Sequence, residues 1–176
     1  MKKMKRLVAV LLAGIMALAV LTACSGGSGT GSSAFENKVE QAYMAKLKEK
    51  FGEEFKNFEN DADIKKLAVE HIEEMANNET LSMDELWKKE ELSEKAQNWV
   101  MICYDVNQGT GKAYVKSSYE AGKAETIETK NIDTFFSLAQ MKRANVAKKA
   151  KFTALGVGAK TINGKTYVAI GFKVEG

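Results

Sequence analysis

The sequence predicts an α+β fold built on an antiparallel sheet, and three observations point to it. Apolar residues recur at helical spacing in the first half of the chain, over residues 35–51 and 64–75. Two β-rich runs near the end, residues 152–162 and 165–174, flank Asn163-Gly164, a strong hairpin signal. Helices therefore come first and strands mostly last, the order of an α+β domain rather than of alternating βαβ units.

Each element has its own local reason. Phe35, Val39, Tyr43, Leu47 and Phe51 step by four along a first helix that Gly52 can stop. Ile64, Leu67, Ala68, His71, Ile72 and Met75 form one stripe of a second helix, which Asp61 or Asp63 can cap and Asn77-Asn78 can end. Residues 83–97 read as one or two short helical pieces. Residues 99–104, Trp-Val-Met-Ile-Cys-Tyr, read as a buried strand, and residues 107–111 as a loop. Residues 112–129 carry no clear period. Asn131 or Asp133 opens a third helix through Phe135, Phe136, Leu138 and Ala139 toward Ala147. In the closing hairpin, Val168, Ile170, Phe172 and Val174 share one face, as do Leu155 and Val157 on the partner strand.

The first 34 residues are of another kind. Lys2, Lys3, Lys5 and Arg6 precede an apolar run over residues 7–20, too short for a permanent membrane span. The run ends in Leu21-Thr22-Ala23-Cys24, which resembles a bacterial lipobox, where a cysteine is diacylated and the leader is cut before it. Residues 1–23 are thus expected to be a lipoprotein signal peptide. Residues 24–34 would be the lipidated Cys24 and a Gly/Ser spacer, and residues 35–176 the folded domain. The implied partner is membrane lipid, and the implied location is the extracytoplasmic face of a cell membrane. Without the leader, 22 basic residues face 23 acidic ones, a net charge of −1, which gives no electrostatic reason to expect nucleic acid.

The chain is poor in groups for catalysis. Of its two cysteines Cys24 is the lipidation candidate, which leaves Cys103 without an internal disulfide partner. His71 is the single histidine, which excludes a site built on two or three histidines. His71 could serve as a general base beside Cys103 or a serine. Both His71 and Cys103, however, lie in apolar patterns that suit packing better. Glu70, Glu73 and Glu74, and likewise Glu90 and Glu91, are expected on water-facing helical surfaces. Gly156-Val-Gly158 lies in a strand, where glycine permits a bulge or close packing. Lys142, Arg143, Lys148, Lys149 and Lys151 are read as a basic patch at a helix end that complements its dipole and aids solubility, with binding of anionic wall polymer or lipid headgroups as the alternative. Neither a cofactor nor a metal is expected.

Three stretches in the second half together resemble the CAP superfamily, the cysteine-rich secretory, antigen-5 and pathogenesis-related proteins. They are Lys142-Arg-Ala-Asn-Val146, Phe152-Thr-Ala-Leu-Gly-Val-Gly158 and Asn163-Gly-Lys-Thr-Tyr-Val168. Upstream, Leu67-Ala-Val-Glu-His-Ile-Glu-Glu-Met-Ala76 is similar to the family's first-half helix, and Gln97-Asn98 stands where the family has Glu-Asn. The resemblance implies a three-layer α-β-α sandwich and a cleft in which many members place two histidines and two glutamates. Here Met83 and Lys142 stand at the histidine positions and Gln97 at a glutamate position, with Asn98 and Arg143 beside them. A protonated lysine cannot ligate a metal, and Met and Gln are poor zinc ligands. The resemblance thus implies a degenerate cleft, and the leading expectation is a tethered, non-enzymatic domain that binds an envelope or extracellular ligand. An extracellular hydrolase of peptide or cell wall, using unrecognised residues, is the alternative. A purely structural lipoprotein is the third reading.

Overall fold

The structure, a computed structural model, describes residues 32–77, 87–103, 114–115 and 117–176. It is mixed α and β, with three helices and a four-stranded antiparallel sheet. Helix α1 spans Ser32–Phe51 and runs into a 3-10 turn, Gly52–Glu54. Gly52 stops it as expected, with a φ of 62° that suits glycine. Helix α2 spans Ala62–Asn77. Asp61 is its cap, one carboxylate oxygen accepting from the N–H groups of Asp63 and Ile64 at 3.1 and 3.0 Å. Helix α3 spans Ile132–Val146 after Asn131, which adopts a left-handed φ of 63°.

Strands β1 (Trp87–Ser93) and β2 (Ala96–Ile102) form a hairpin; β2 contains the strand expected from Trp99, while β1 and the start of β2 lie where the sequence pattern suggests helix. This corrects the helical reading of residues 83–97 wherever the structure describes them. The stretch Trp-Lys-Lys-Glu-Glu-Leu-Ser is an edge strand exposed over much of its length, so burial imposes no clear alternation on it, and charges suit such an edge. Among the described residues of 112–129 there is a small ladder, β3 (Ser117–Ser118) with β4 (Thr126–Ile127). The closing hairpin is as predicted: β5 (Lys151–Ile162) and β6 (Lys165–Glu175) turn on Asn163 and Gly164, with φ of 51° and 73°. Strand order in the sheet is β1-β2-β6-β5.

Both faces of this sheet are covered, because alternate residues of its inner strands feed two separate cores. Met101, Leu155, Val157, Val168, Ile170, Phe172 and Val174 join α1 and α3 through Val39, Tyr43, Leu47, Phe135 and Ala139. Val100, Ile102 and Ala169 join α2 through Ile64, Leu67, Ala68 and Ile72. Helix α2 comes close enough that glycine is required beneath it. Gly156 and Gly171 are cross-strand partners, and a Cβ on either would lie 2.6 Å from an Ile64 side-chain carbon. The expectation of close packing for Gly156 is met.

The outer edge of β5 is closed by side chains. Asn60 exchanges two hydrogen bonds with the Val157 backbone, at 2.7 and 3.0 Å. Glu40 accepts from Ala159 N–H at 3.2 Å and Glu36 from Thr161 N–H at 2.6 Å. The spacing matches: four helical residues rise about 6 Å, close to the roughly 6.7 Å spanned by two strand residues.

Candidate functional site

The only two tryptophans of the chain, Trp87 and Trp99, meet on the sheet face shared with α1 and α3. The β1–β2 register pairs Trp87 with Met101, Lys89 with Trp99 and Glu91 with Gln97. Strand alternation therefore puts Trp87, Lys89, Gln97 and Trp99 on one side. The indole rings stand 6.2 Å apart at 79°. Phe135 stacks on Trp87 at 6.0 Å and 16°, and Phe172 meets it edge-on at 6.1 Å, so the core below fixes its orientation.

Helix α3 delivers Lys142 to these rings. Phe135, Ala139, Lys142 and Val146 fall on one stripe of that helix, so a lysine occupies an inward position near its C-terminal end. Lys142 Nζ lies 3.8 Å from the Trp99 ring centroid and 4.9 Å from that of Trp87, within the range of cation–π attraction. Lys89 Nζ stands 5.6 Å from the same Trp99 ring and pairs with Glu91. Burial, and secondarily the positive charge of Lys89, push the Lys142 pKa below the usual lysine range. Among the described residues no carboxylate lies within ion-pair distance of Lys142. Gln97 completes the group: its Oε1 accepts from Trp99 Nε1–H at 3.2 Å, which leaves its amide N–H groups as donors.

Of the residues singled out in the sequence, Gln97 and Lys142 thus converge on Trp99. Asn98 does not, since strand alternation turns it to the other face. There it is 4% exposed and donates to Glu90 Oε2 at 2.8 Å. Arg143, one residue beyond Lys142, is rotated about 100° around the helix. It pairs with Glu54 at 3.2 Å and lies over Phe152 at 5.1 Å. The expected single basic patch is therefore divided: Lys142 is turned inward and Arg143 toward Glu54, while Lys148, Lys149 and Lys151 remain exposed. Met83 and Cys24 lie outside the described residues. Trp87, Trp99 and Lys89 were not foreseen as site residues. Their signal was the lysine on the inward stripe of α3, which needs a partner other than aliphatic side chains.

Comparison with protein-family models, with curated proteins and with solved structures finds no match.

The other reactive groups serve packing. His71 is 3% exposed on α2, while Cys103 belongs to the core on the opposite sheet face, so they do not form a nucleophile pair. Burial pushes the Cys103 thiol far above its ordinary range, which keeps it protonated and unreactive. Glu70, Glu73 and Glu74 lie on the outer side of α2 and form ion pairs with Lys66, Lys160 and Lys88. Glu90 and Glu91 are exposed as expected, on a strand rather than a helix. Among the described residues no three His, Cys, Asp or Glu side chains are grouped to hold a metal ion, and no helix is long and apolar enough to cross a membrane.

Proposed function

We propose that this chain is a lipoprotein tethered through acylated Cys24 to the extracytoplasmic face of a membrane, and that residues 35–176 form a CAP-like binding domain without catalytic activity. The leader supports the tether: four basic residues, a short apolar run and Leu21-Thr22-Ala23-Cys24, followed by a Gly/Ser spacer. The CAP-like, three-layer reading is supported by the closing motifs and by the two cores on opposite faces of the sheet.

One observation carries the binding reading. Lys142 and Gln97, at positions that hold metal ligands in many members of the resembled family, converge here on the Trp99 ring. An ammonium seated there repels an approaching metal cation, and Gln97 offers it no anionic donor. What the site offers instead is hydrogen-bond donors beside aromatic surface. That arrangement suits holding a ligand rather than activating water.

Mass spectrometry of the mature N-terminus, with calorimetric titration by Zn²⁺, tests both halves. A diacylated Cys24 and no zinc binding are expected. A different or unlipidated N-terminus would remove the tether. One equivalent of Zn²⁺ bound at micromolar affinity would reverse the non-catalytic reading and favour a hydrolase.

A further inference from the structure

We infer that the Trp87–Trp99–Lys142 site binds an oxyanion, the carboxylate or phosphate ester of an envelope ligand, with Lys142 and the Gln97 amide as its first partners and Lys89 at the rim. This rests on the binding reading above and specifies the class of ligand.

The argument begins from charge. Among the described residues most lysines near a carboxylate pair with it, as Lys65 does with Glu40 and Lys88 with Glu74. Lys142 instead sits half-buried against two indoles with a second ammonium, that of Lys89, as its charged neighbour. Drawing a cation partly out of water and setting it beside a like charge is unfavourable. The quadrupoles of two rings recover part of that cost, and a bound anion would offset much of the remainder. Its lowered pKa is the expected response of a partly buried cation beside Lys89 with no counter-ion among the described residues.

Geometry adds direction. Gln97 Oε1 is engaged by Trp99 Nε1–H, so the amide N–H groups are what it can present to a ligand. Glu91, paired with Lys89, stands on the same face and disfavours a large polyanion, which points to a single oxyanion group. The indole edges supply apolar surface for whatever carries that group.

Both tryptophans of the chain lie in the site, so intrinsic fluorescence reads it without a label. The mature lipidated chain in neutral detergent is titrated with sodium phosphate, glycerol phosphate or sodium acetate against sodium chloride at equal ionic strength. A saturable emission change with phosphates or acetate, absent with chloride, is expected, and the stronger of the two arms identifies the oxyanion. Lys142→Met keeps the apolar stem over the rings and should weaken binding at least about tenfold. Lys89→Gln should weaken it less, and Lys148→Gln should leave it unchanged. Circular dichroism confirms that the variants fold, and if Lys142→Met does not, Lys89→Gln and Gln97→Leu carry the test. No saturable response to either oxyanion, or an equal response after the folded site variants, overturns the inference. Zinc binding in the parallel calorimetry would overturn the underlying binding reading instead, so the two failures are distinct.

Discussion

Glu40 and Lys65 join two helices that lie on opposite faces of the sheet. Their ion pair, at 2.6 Å, wraps around the edge of β5 while the second Glu40 oxygen accepts from the Ala159 N–H of that strand. One buried carboxylate therefore ties α1, α2 and β5 together, and removing it leaves a buried strand N–H without an acceptor.

Glu40→Ala is expected to destabilise the fold by about 1–3 kcal/mol, measured by urea unfolding. Glu40→Gln keeps an acceptor for Ala159 and leaves Lys65 partly solvated, so its cost should be smaller. The pH dependence has a defined sign. Burial outweighs Lys65 and raises the Glu40 pKa in the folded state, so folding favours the protonated carboxyl. That contribution is fully present below the unfolded value of 4.5 and is lost as pH rises through the folded pKa. The wild-type advantage over Glu40→Gln should accordingly be larger at pH 4 than at pH 7. An equal advantage at both would contradict the raised pKa.

Gly171→Ala places a methyl group 2.6 Å from Ile64 Cγ2 and 2.7 Å from the Trp99 carbonyl oxygen. The carbonyl belongs to the sheet backbone and cannot swing aside. A loss of about 2 kcal/mol or more is expected from this overpacking. Gly156→Ala also meets Ile64 Cγ2 at 2.7 Å, a contact that Ile64→Ala removes, so the double variant should cost less than the two single losses together. Strict additivity in thermal or urea unfolding would show that α2 does not rest on these glycines.

Asp61→Ala removes the acceptor for the first N–H groups of α2 and should cost about 1 kcal/mol. Asp61→Asn should retain most of the stability, because its side-chain oxygen can still accept. Asp63→Ala, a substitution at an exposed position in the first turn, should be close to neutral by the same unfolding measurement.

Cys103 is 3% exposed and its thiol is held protonated, so in a Cys24→Ser chain it should resist a soluble disulfide reagent until the protein unfolds. Stoichiometric labelling of the native chain within minutes would contradict its burial.

The elements with local causes are legible in the residues alone. The stripe of α2, the stop at Gly52 and the turn at Asn163-Gly164 each follow from a few adjacent residues whose conformational preferences agree with the fold. Strand β1 is not legible, unlike the apolar run of β2, because Trp87–Ser93 has one neighbouring strand and little buried surface to impose a period of two. Without β1 the site stays hidden as well. Strand alternation separates Gln97 from Asn98, helical rotation separates Lys142 from Arg143, and only the register of β1 on β2 brings Trp87 and Lys89 beside Trp99. The tertiary structure decided the site because Lys142 reaches Trp99 from 43 positions away in the chain, a separation at which no local preference acts.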